Sequence, residues 1–190
     1  MIVAESPTHA YLTDNSINIR IAGRGGQGII KAGLLLAEAL VLEGKNVAQT
    51  QNYGPEARGG ACRTDIVASL EEIDYPGLQR IDYLIVLDEG AYARYLPMLN
   101  ERTIVIYDSD LVKSAKKGYG FPFTRISKDK FGSELFANMI ALGAFVSLTD
   151  IVKPETLQHV IKKRMKNPEK NISAFRLGAE IAIAPEIITR

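Results

Sequence analysis

The residues best suited to bind a ligand form a glycine-rich turn near the start of the chain, within IAGRGGQGIIKAG (residues 21–33). They satisfy the spacing G-x-G-x-x-G, and they lie between an apolar run that predicts a strand and one that predicts a helix. Glycines let the backbone approach a phosphate, a helix N-terminus offers free N–H groups, and an arginine adds a bidentate donor. The predicted binding residues are Gly23, Arg24, Gly25, Gly26, Gln27 and Gly28.

The dinucleotide version of this motif also needs an acidic residue at the end of the second strand, to bind the ribose hydroxyls. Here that region reads VAQTQNYG, and no Asp or Glu occurs between Glu43 and Glu56. This weakens the interpretation as an NAD site, although an NADP site can dispense with the acid. Two other interpretations stay open: a tight turn that binds nothing, and a turn that binds another anion or a partner subunit.

A second glycine-rich segment, NYGPEARGG (residues 52–60), contains three glycines, one proline and two opposite charges. It follows the predicted second strand, so we expect it at the same sheet edge as the first turn. Two such segments at one edge predict a binding surface, although an exposed irregular connection is the simpler alternative. The candidate residues are Tyr53, Gly54, Pro55, Glu56, Ala57, Arg58, Gly59 and Gly60.

Other features of the chain do not predict catalysis. The sequence contains neither G-x-x-x-x-G-K-[ST] nor G-x-S-x-G, and it has no His/Cys cluster with metal-ligand spacing. Cys62 is expected in the core and His159 on a solvated helix face. Four acids at predicted strand ends could line a crevice or serve their own loops: Asp88, Glu89, Asp108 and Asp110. We therefore predict no catalytic and no metal-binding residue.

The elements that must position these residues alternate between strand and helix patterns. INIRIA predicts a strand, IIKAGLLLAEALVLEG a helix that ends at Gly44, and KNVAQTQ a second strand, which together form a βαβ unit. The helix is apolar almost all round and is expected to be largely buried. ACRTDIVASL, DYLIVLDEG and RTIVIYDSD predict further strands, and FPFTRIS predicts an edge strand. Helical patterns fill the chain from Ser133 onwards.

These patterns predict one α/β domain of Rossmann-like type, with a mostly parallel sheet, helices on both faces and a helical C-terminal third. We expect a flexible N-terminal leader over residues 1–16 and the folded domain over residues 17–190. The formal net charge of +1 argues against a nucleic-acid or membrane-surface partner. A single cysteine excludes an internal disulfide and an iron–sulfur cluster. Without a signal-peptide pattern, we expect a cytoplasmic protein.

The pair GRGGQG and YGPEARGG, separated by one predicted helix and one strand, resembles the gamma subunit of the 2-oxoacid:ferredoxin oxidoreductases. It is most similar to the 2-oxoglutarate and ketoisovalerate types. NMIALGA (residues 138–144) and DYLIVLD (residues 82–88) support the resemblance, which covers residues 17–182. Two alternatives remain: a stand-alone NAD(P)-binding oxidoreductase and a non-catalytic adaptor.

The resemblance implies a subunit of an oxidoreductase complex (EC 1.2.7 class) that is inactive alone. Such complexes, typical of anaerobic metabolism, decarboxylate a 2-oxoacid, with 2-oxoglutarate favoured here, to an acyl-coenzyme A and pass electrons to ferredoxin. Thiamine diphosphate, magnesium and iron–sulfur clusters are implied in the alpha, beta and delta subunits rather than in this chain.

For this chain the resemblance implies packing on alpha, together with coenzyme A binding or closure over the site. Residues 23–28 would bind an anionic group or contact alpha, and residues 53–60 would form the subunit contact or the site cap. The isolated chain is expected to expose an apolar patch and to be able to form a homodimer.

Overall fold

The computed structural model describes residues 16–53 and 60–183, which form a six-stranded sheet covered by helices on both faces. The strands are β1 (Ser16–Arg24), β2 (Asn46–Tyr53), β3 (Ala61–Ser69), β4 (Tyr83–Val86), β5 (Ile104–Asp108) and β6 (Tyr119–Phe121). The helices are α1 (Ile29–Leu42), α2 (Glu89–Tyr95), α3 (Phe123–Phe131), α4 (Ala137–Thr149), α5 (Pro154–Arg164) and α6 (Pro168–Ile183). Short 3-10 turns follow α2 and precede α4.

The strand order in the sheet is β2-β3-β1-β4-β5-β6. The pairs from β1 to β6 are parallel, whereas β3 is antiparallel to both β1 and β2. The prediction of a mostly parallel sheet is therefore confirmed. The βαβ unit differs from the simplest form, because β3 is inserted between its two parallel strands. This insertion brings the ends of β1, β2 and β3 together at one edge of the sheet.

Two hydrophobic clusters cover the two faces of the sheet. On one face, Ile19, Ile21 and Ile85 pack with apolar side chains of α1, α4, α5 and α6. On the other face, Leu84 and Val86 pack with α2. The alternation along β1 and β4 predicts this division, because successive side chains of a strand point to opposite faces. Within the described residues, no helix is long and apolar enough to cross a membrane.

A buried ion pair connects β1 to β3. Arg20 and Asp65 are direct partners in the antiparallel ladder, and the guanidinium donates to both carboxylate oxygens over 2.6 and 2.8 Å. Their side chains are only 4% and 6% exposed, and the guanidinium carbon lies 4.5 Å from the centre of the Tyr95 ring. Slipping the ladder by one residue would separate the pair and turn every side chain of β3 to the wrong face. The ion pair therefore specifies the register of β1 against β3.

One sequence-based expectation needs correction. FPFTRIS does not form an edge strand: the edge strand β6 ends at Phe121, and Phe123 begins helix α3. Pro122 lies at the junction because it lacks the N–H that a strand would use but is tolerated where a helix starts. The expectation that α1 is largely buried is confirmed, with eight of its 14 residues buried, although Leu34, Val41 and Leu42 are 50%, 53% and 54% exposed.

Removing the carboxylate of the buried pair should destabilise the fold strongly. In Asp65→Ala, the Arg20 guanidinium stays buried without its charged partner, and we expect the free energy of unfolding to fall by about 3–5 kcal/mol. Urea denaturation of the two proteins measures this difference. Glu134→Ala is the matched control: Glu134 pairs with Lys128 over the same 2.6 Å, but both side chains are more than half exposed. The control should leave the stability nearly unchanged, and equal losses in the two variants would contradict the argument.

Candidate functional site

The two glycine-rich segments meet at the C-terminal edge of β1. The N–H of Gly25 donates to the carbonyl oxygen of Gly60 over 2.9 Å. In the ladders, Cys62 lies opposite both Gly23 of β1 and Tyr53 of β2. The structure thus brings the turn at residues 23–28 together with Tyr53 and Gly60. The remaining residues of the second segment lie outside the described residues: Gly54, Pro55, Glu56, Ala57, Arg58 and Gly59.

The side-chain amide of Gln27 lies between the ends of β1 and β4. Its oxygen accepts from the N–H of Arg24 over 2.8 Å, and its nitrogen donates to the carbonyl oxygen of Leu87 over 2.6 Å. A Cβ at position 23 would overlap the Gln27 side-chain oxygen, so this position favours glycine. Helices α1 and α2 leave β1 and β4 on opposite faces, and open α/β sheets bind ligands at such a switch point. In this chain the amide bridges that crevice.

Part of the turn remains available to an anion. Arg24, Gly25 and Gln27 use their N–H groups internally, the last by donating to the Arg24 carbonyl oxygen. Among the described residues, the N–H groups of Gly26 and Gly28 have no hydrogen-bond acceptor. Gly26 has φ +97°, and among residues 16–53 and 60–183 a Cβ there would meet nothing within 4 Å. Gly28 precedes α1 in the left-handed conformation, and the N-terminus of α1 therefore presents donors to this space.

Asn138 of helix α4 holds the glycine turn in place through a hydrogen bond. It lies in the first turn of α4, is 6% exposed, and donates from Nδ2 to the carbonyl oxygen of Gly28 over 3.1 Å. Its Oδ1 has no partner within the described residues. A polar residue inside the apolar run ANMIALGAFV is the sequence signal for such a contact, but the run itself does not indicate which loop Asn138 reaches.

The guanidinium of Arg24 belongs to an exposed charged group at the same edge. Arg24 is exposed and lies close enough to Glu134 to contribute to lowering the pKa of that carboxyl, after the larger effect of the hydrogen bond from Lys128. Backbone N–H groups, the Gln27 amide, the Arg24 guanidinium and the exposed Lys128–Glu134 pair lie at this edge. The N–H groups and the guanidinium are donors that can bind and orient an anion.

The four acids at the strand ends have structural partners rather than a shared crevice. Asp88 caps α2 by accepting from the Ala91 N–H, and Glu89 accepts from the N–H groups of Lys113 and Ser114. The Glu89 interactions lower its pKa, the contact with the Ser114 side chain first.

Asp108 is fully buried and accepts from the N–H and hydroxyl of Thr124 and from the N–H of Asp110. The Asp110 carboxylate lies 3.8 Å from Arg125. These contacts favour the second interpretation of the acids, in which they serve their own loops.

Cys62 and His159 lie where the sequence predicts them, in the core and on an exposed helix face. Cys62 is 6% exposed in the core, and burial raises the pKa of its thiol. His159 is exposed on α5. A thiol that is buried and held protonated is a poor nucleophile, in agreement with its assignment to the core.

Comparison with known proteins identifies relatives along most of the chain. Residues 18–181 match the family described as pyruvate ferredoxin/flavodoxin oxidoreductase. The chain is 59% identical, over 87% of both chains, to the 2-oxoglutarate synthase subunit KorC of Archaeoglobus fulgidus.

Two solved structures share the fold. The gamma subunit of a keto/oxoacid ferredoxin oxidoreductase from Geobacter sulfurreducens is 36% identical, with a TM-score of 0.77 over 88% of this chain and 99% of its own. A 2-oxoglutarate:ferredoxin oxidoreductase from Magnetococcus marinus, solved with 2-oxoglutarate, coenzyme A and succinyl-CoA bound, is 27% identical, with a TM-score of 0.80. The match covers 90% of this chain but only 32% of that one.

The buried carboxyl of Asp108 makes a testable contribution to stability. Burial raises its pKa above the ordinary value of 3.8, against the opposing hydrogen bonds from Thr124 and Asp110. The folded protein therefore binds this proton more tightly than the unfolded chain. Its contribution is fully present below pH 3.8 and is lost as the pH rises through the folded-state pKa.

Urea denaturation of the wild type and Asp108→Asn, from below pH 3.8 upwards, tests whether the pKa of Asp108 is raised on folding. Because asparagine does not titrate, the stability of the wild type relative to the variant should fall as the pH rises, with a slope of at most about 1.4 kcal/mol per pH unit. A relative stability that rises with pH would mean that the hydrogen bonds outweigh the burial.

Proposed function

The chain belongs to the pyruvate ferredoxin/flavodoxin oxidoreductase family, and from this premise we propose that it is the gamma subunit of a complex that oxidises 2-oxoglutarate. The complex would decarboxylate the 2-oxoacid, release an acyl-coenzyme A and pass the electrons to ferredoxin. The observation that carries the choice of substrate is the 59% identity to a 2-oxoglutarate synthase subunit. Relatives named for ketoisovalerate and pyruvate are more distant, at 30% and 31% identity.

We assign the electron-transfer and decarboxylation chemistry to partner chains, the alpha and beta subunits with a delta subunit where one is present. An iron–sulfur cluster needs several thiolates, and this chain contains one cysteine, which is buried. Thiamine diphosphate with magnesium, bound in the partners, would supply the decarboxylation. This chain contributes a packing surface and donors for an anion. We expect the complex to act in the cytoplasm.

We propose that the turn at residues 23–28 binds an anionic group of coenzyme A. The N–H groups of Gly26 and Gly28, together with the Arg24 guanidinium, form the donor set, and Gln27 with Asn138 holds the turn in place. The open space beside Gly26 supports this role, since a phosphate needs close access to the backbone. The lack of an Asp or Glu between Glu43 and Glu56 disfavours the alternative of an NAD site.

We further propose that residues 53–60 cap the site or contact alpha. Tyr53 lies at the end of β2 and is 65% exposed. The carbonyl oxygen of Gly60 accepts a hydrogen bond from the Gly25 N–H of the turn. A partner surface or coenzyme bound at residues 23–28 would therefore also reach this segment. Its two ends support the proposal, while its middle lies outside the described residues.

The subunit assignment predicts the composition of the native complex. A pull-down through a tag on this chain, from its native source, should recover larger chains that carry thiamine diphosphate and iron–sulfur clusters. The isolated chain should show no 2-oxoacid decarboxylation. Decarboxylation at a normal rate by the isolated chain would contradict the assignment, and micromolar binding of NAD or NADP in calorimetry would favour the dinucleotide alternative.

The coenzyme A site predicts a selective kinetic effect in the assembled complex. Arg24→Ala removes a charge-assisted hydrogen bond, so the KM for coenzyme A should rise about 10-fold while the KM for 2-oxoglutarate stays unchanged. Arg94→Ala is the control, because Arg94 is an exposed arginine on α2, on the other face of the sheet. Equal KM values for coenzyme A in Arg24→Ala and the wild type, with the complex intact, would argue against this site and for a purely structural turn.

A further inference from the structure

We propose that Arg63 binds a second anionic group of the ligand at the glycine turn, namely the ribose 3′-phosphate of coenzyme A. The inference rests on the proposed function. It adds a residue outside both glycine-rich segments that distinguishes coenzyme A from dephospho-coenzyme A, which lacks this phosphate. It arises from a group of arginines on one face of the sheet.

The face of the sheet towards α2 carries more arginine than acid. Arg20 of β1 lies opposite Asp65 of β3, so the two side chains share a face. Because successive side chains of a strand alternate between faces, Arg24 points to the same side as Arg20, and Arg63 to the same side as Asp65. Strand β2 adds no charged side chain. Among the described residues of these three strands, three arginines therefore share one carboxylate.

That carboxylate is already used by Arg20. Both oxygens of Asp65 accept from the Arg20 guanidinium, over 2.6 and 2.8 Å, whereas Nε of Arg63 lies 3.3 Å from Oδ2. The Arg63 guanidinium carbon also lies 5.9 Å from the centre of the Tyr95 ring. The Arg63 side chain is 34% exposed, against 4% for Arg20. Arg63 is thus held beside a carboxylate that another arginine occupies, and it remains open to solvent.

Arg63 lies next to the proposed anion site. Arg24 is opposite Ala61 in the ladder, so Arg63 is its diagonal neighbour, and the Cα atoms of such neighbours are about 7–8 Å apart. On its other side, Arg63 is the direct partner of Asn52, which is exposed at the end of β2. A ligand that extends from the turn past Arg24 therefore meets the Arg63 guanidinium and the Asn52 amide next.

Two separate sets of donors suit a ligand with two anionic groups. Backbone N–H groups at the N-terminus of α1 suit one phosphate, and the guanidinium fork of an arginine suits another. Coenzyme A carries a diphosphate and a further phosphate on the same ribose, so its anionic groups are also close neighbours. In this arrangement the diphosphate lies at the turn with Arg24, and the ribose phosphate lies at Arg63 with Asn52.

Kinetics of the assembled complex with coenzyme A and dephospho-coenzyme A test the assignment. The wild type should have a KM for coenzyme A about 10-fold lower or more, because only coenzyme A offers the phosphate for a charge-assisted hydrogen bond. Arg63→Gln should raise the KM for coenzyme A about 10-fold and leave that for dephospho-coenzyme A unchanged. Arg63→Lys keeps the charge without the fork and should retain part of the preference.

Arg102→Gln is the matched control. Arg102 is an exposed arginine in the turn that leads into β5, at the end of the sheet away from the glycine turn. This variant should keep the wild-type preference, and circular dichroism with thermal melting establishes that all variants fold. A second readout needs no turnover: in calorimetry, adenosine 3′,5′-bisphosphate should bind the wild-type complex more tightly than adenosine 5′-monophosphate does. In the Arg63→Gln complex the two should bind equally.

A wild type without the preference, or an Arg63→Gln complex that keeps it in full, would overturn the inference. So would a raised KM for 2-oxoglutarate alone, which would place the oxoacid at Arg63, or a loss of assembly, which would assign Arg63 to a carboxylate of a partner chain. Failure of the proposed function is distinguishable, because Arg24→Ala would then leave the KM for both coenzymes unchanged. An effect of Arg24→Ala without one of Arg63→Gln would remove only the present inference.

Discussion

The register between β1 and β3 is the constraint on which the candidate site depends. Arg20 and Asp65 are direct partners in a ladder of nine residue pairs, and both are buried. In the same ladder, Arg24 lies opposite Ala61, one residue after Gly60. The ion pair in the middle of the strands therefore determines that Gly25 meets Gly60 at their end. A buried charge pair is weak evidence for stability as such, but it does select one register over its neighbours.

The glycine turn shows how a phosphate-binding motif can be adapted. The spacing G-x-G-x-x-G is that of a dinucleotide site, yet Gln27 bridges the strand ends and Asn138 holds the Gly28 carbonyl. In the proposed function, the donors that remain, at Gly26, Gly28 and Arg24, bind an anionic group. Membership of a family of multi-subunit oxidoreductases agrees with the proposal that this surface binds and positions a group while partner chains carry out the reaction.

Local patterns were sufficient to predict most of the elements and the residues of the turn. Alternation gave the strands, Gly44 marked the end of α1, and the apolar runs after Ser133 gave the last three helices. Contacts between distant parts of the chain could not be predicted in this way. Nothing local indicates that β3 inserts between β1 and β2, that Gln27 reaches the Leu87 carbonyl, or that Asn138 reaches Gly28 across 110 positions. The error at FPFTRIS arose because Pro122 is compatible with both a strand end and a helix start.

The uncharged edge of β2 also bears on how the cell must handle this chain. An exposed strand without charge or proline can pair with any other extended segment, including those of unfinished polypeptides. Copies synthesised in excess of whatever covers this edge would therefore be subject to aggregation and to removal by proteases. Where nothing else covers the eight residues of β2, this edge is therefore the part of the described sheet most open to such pairing.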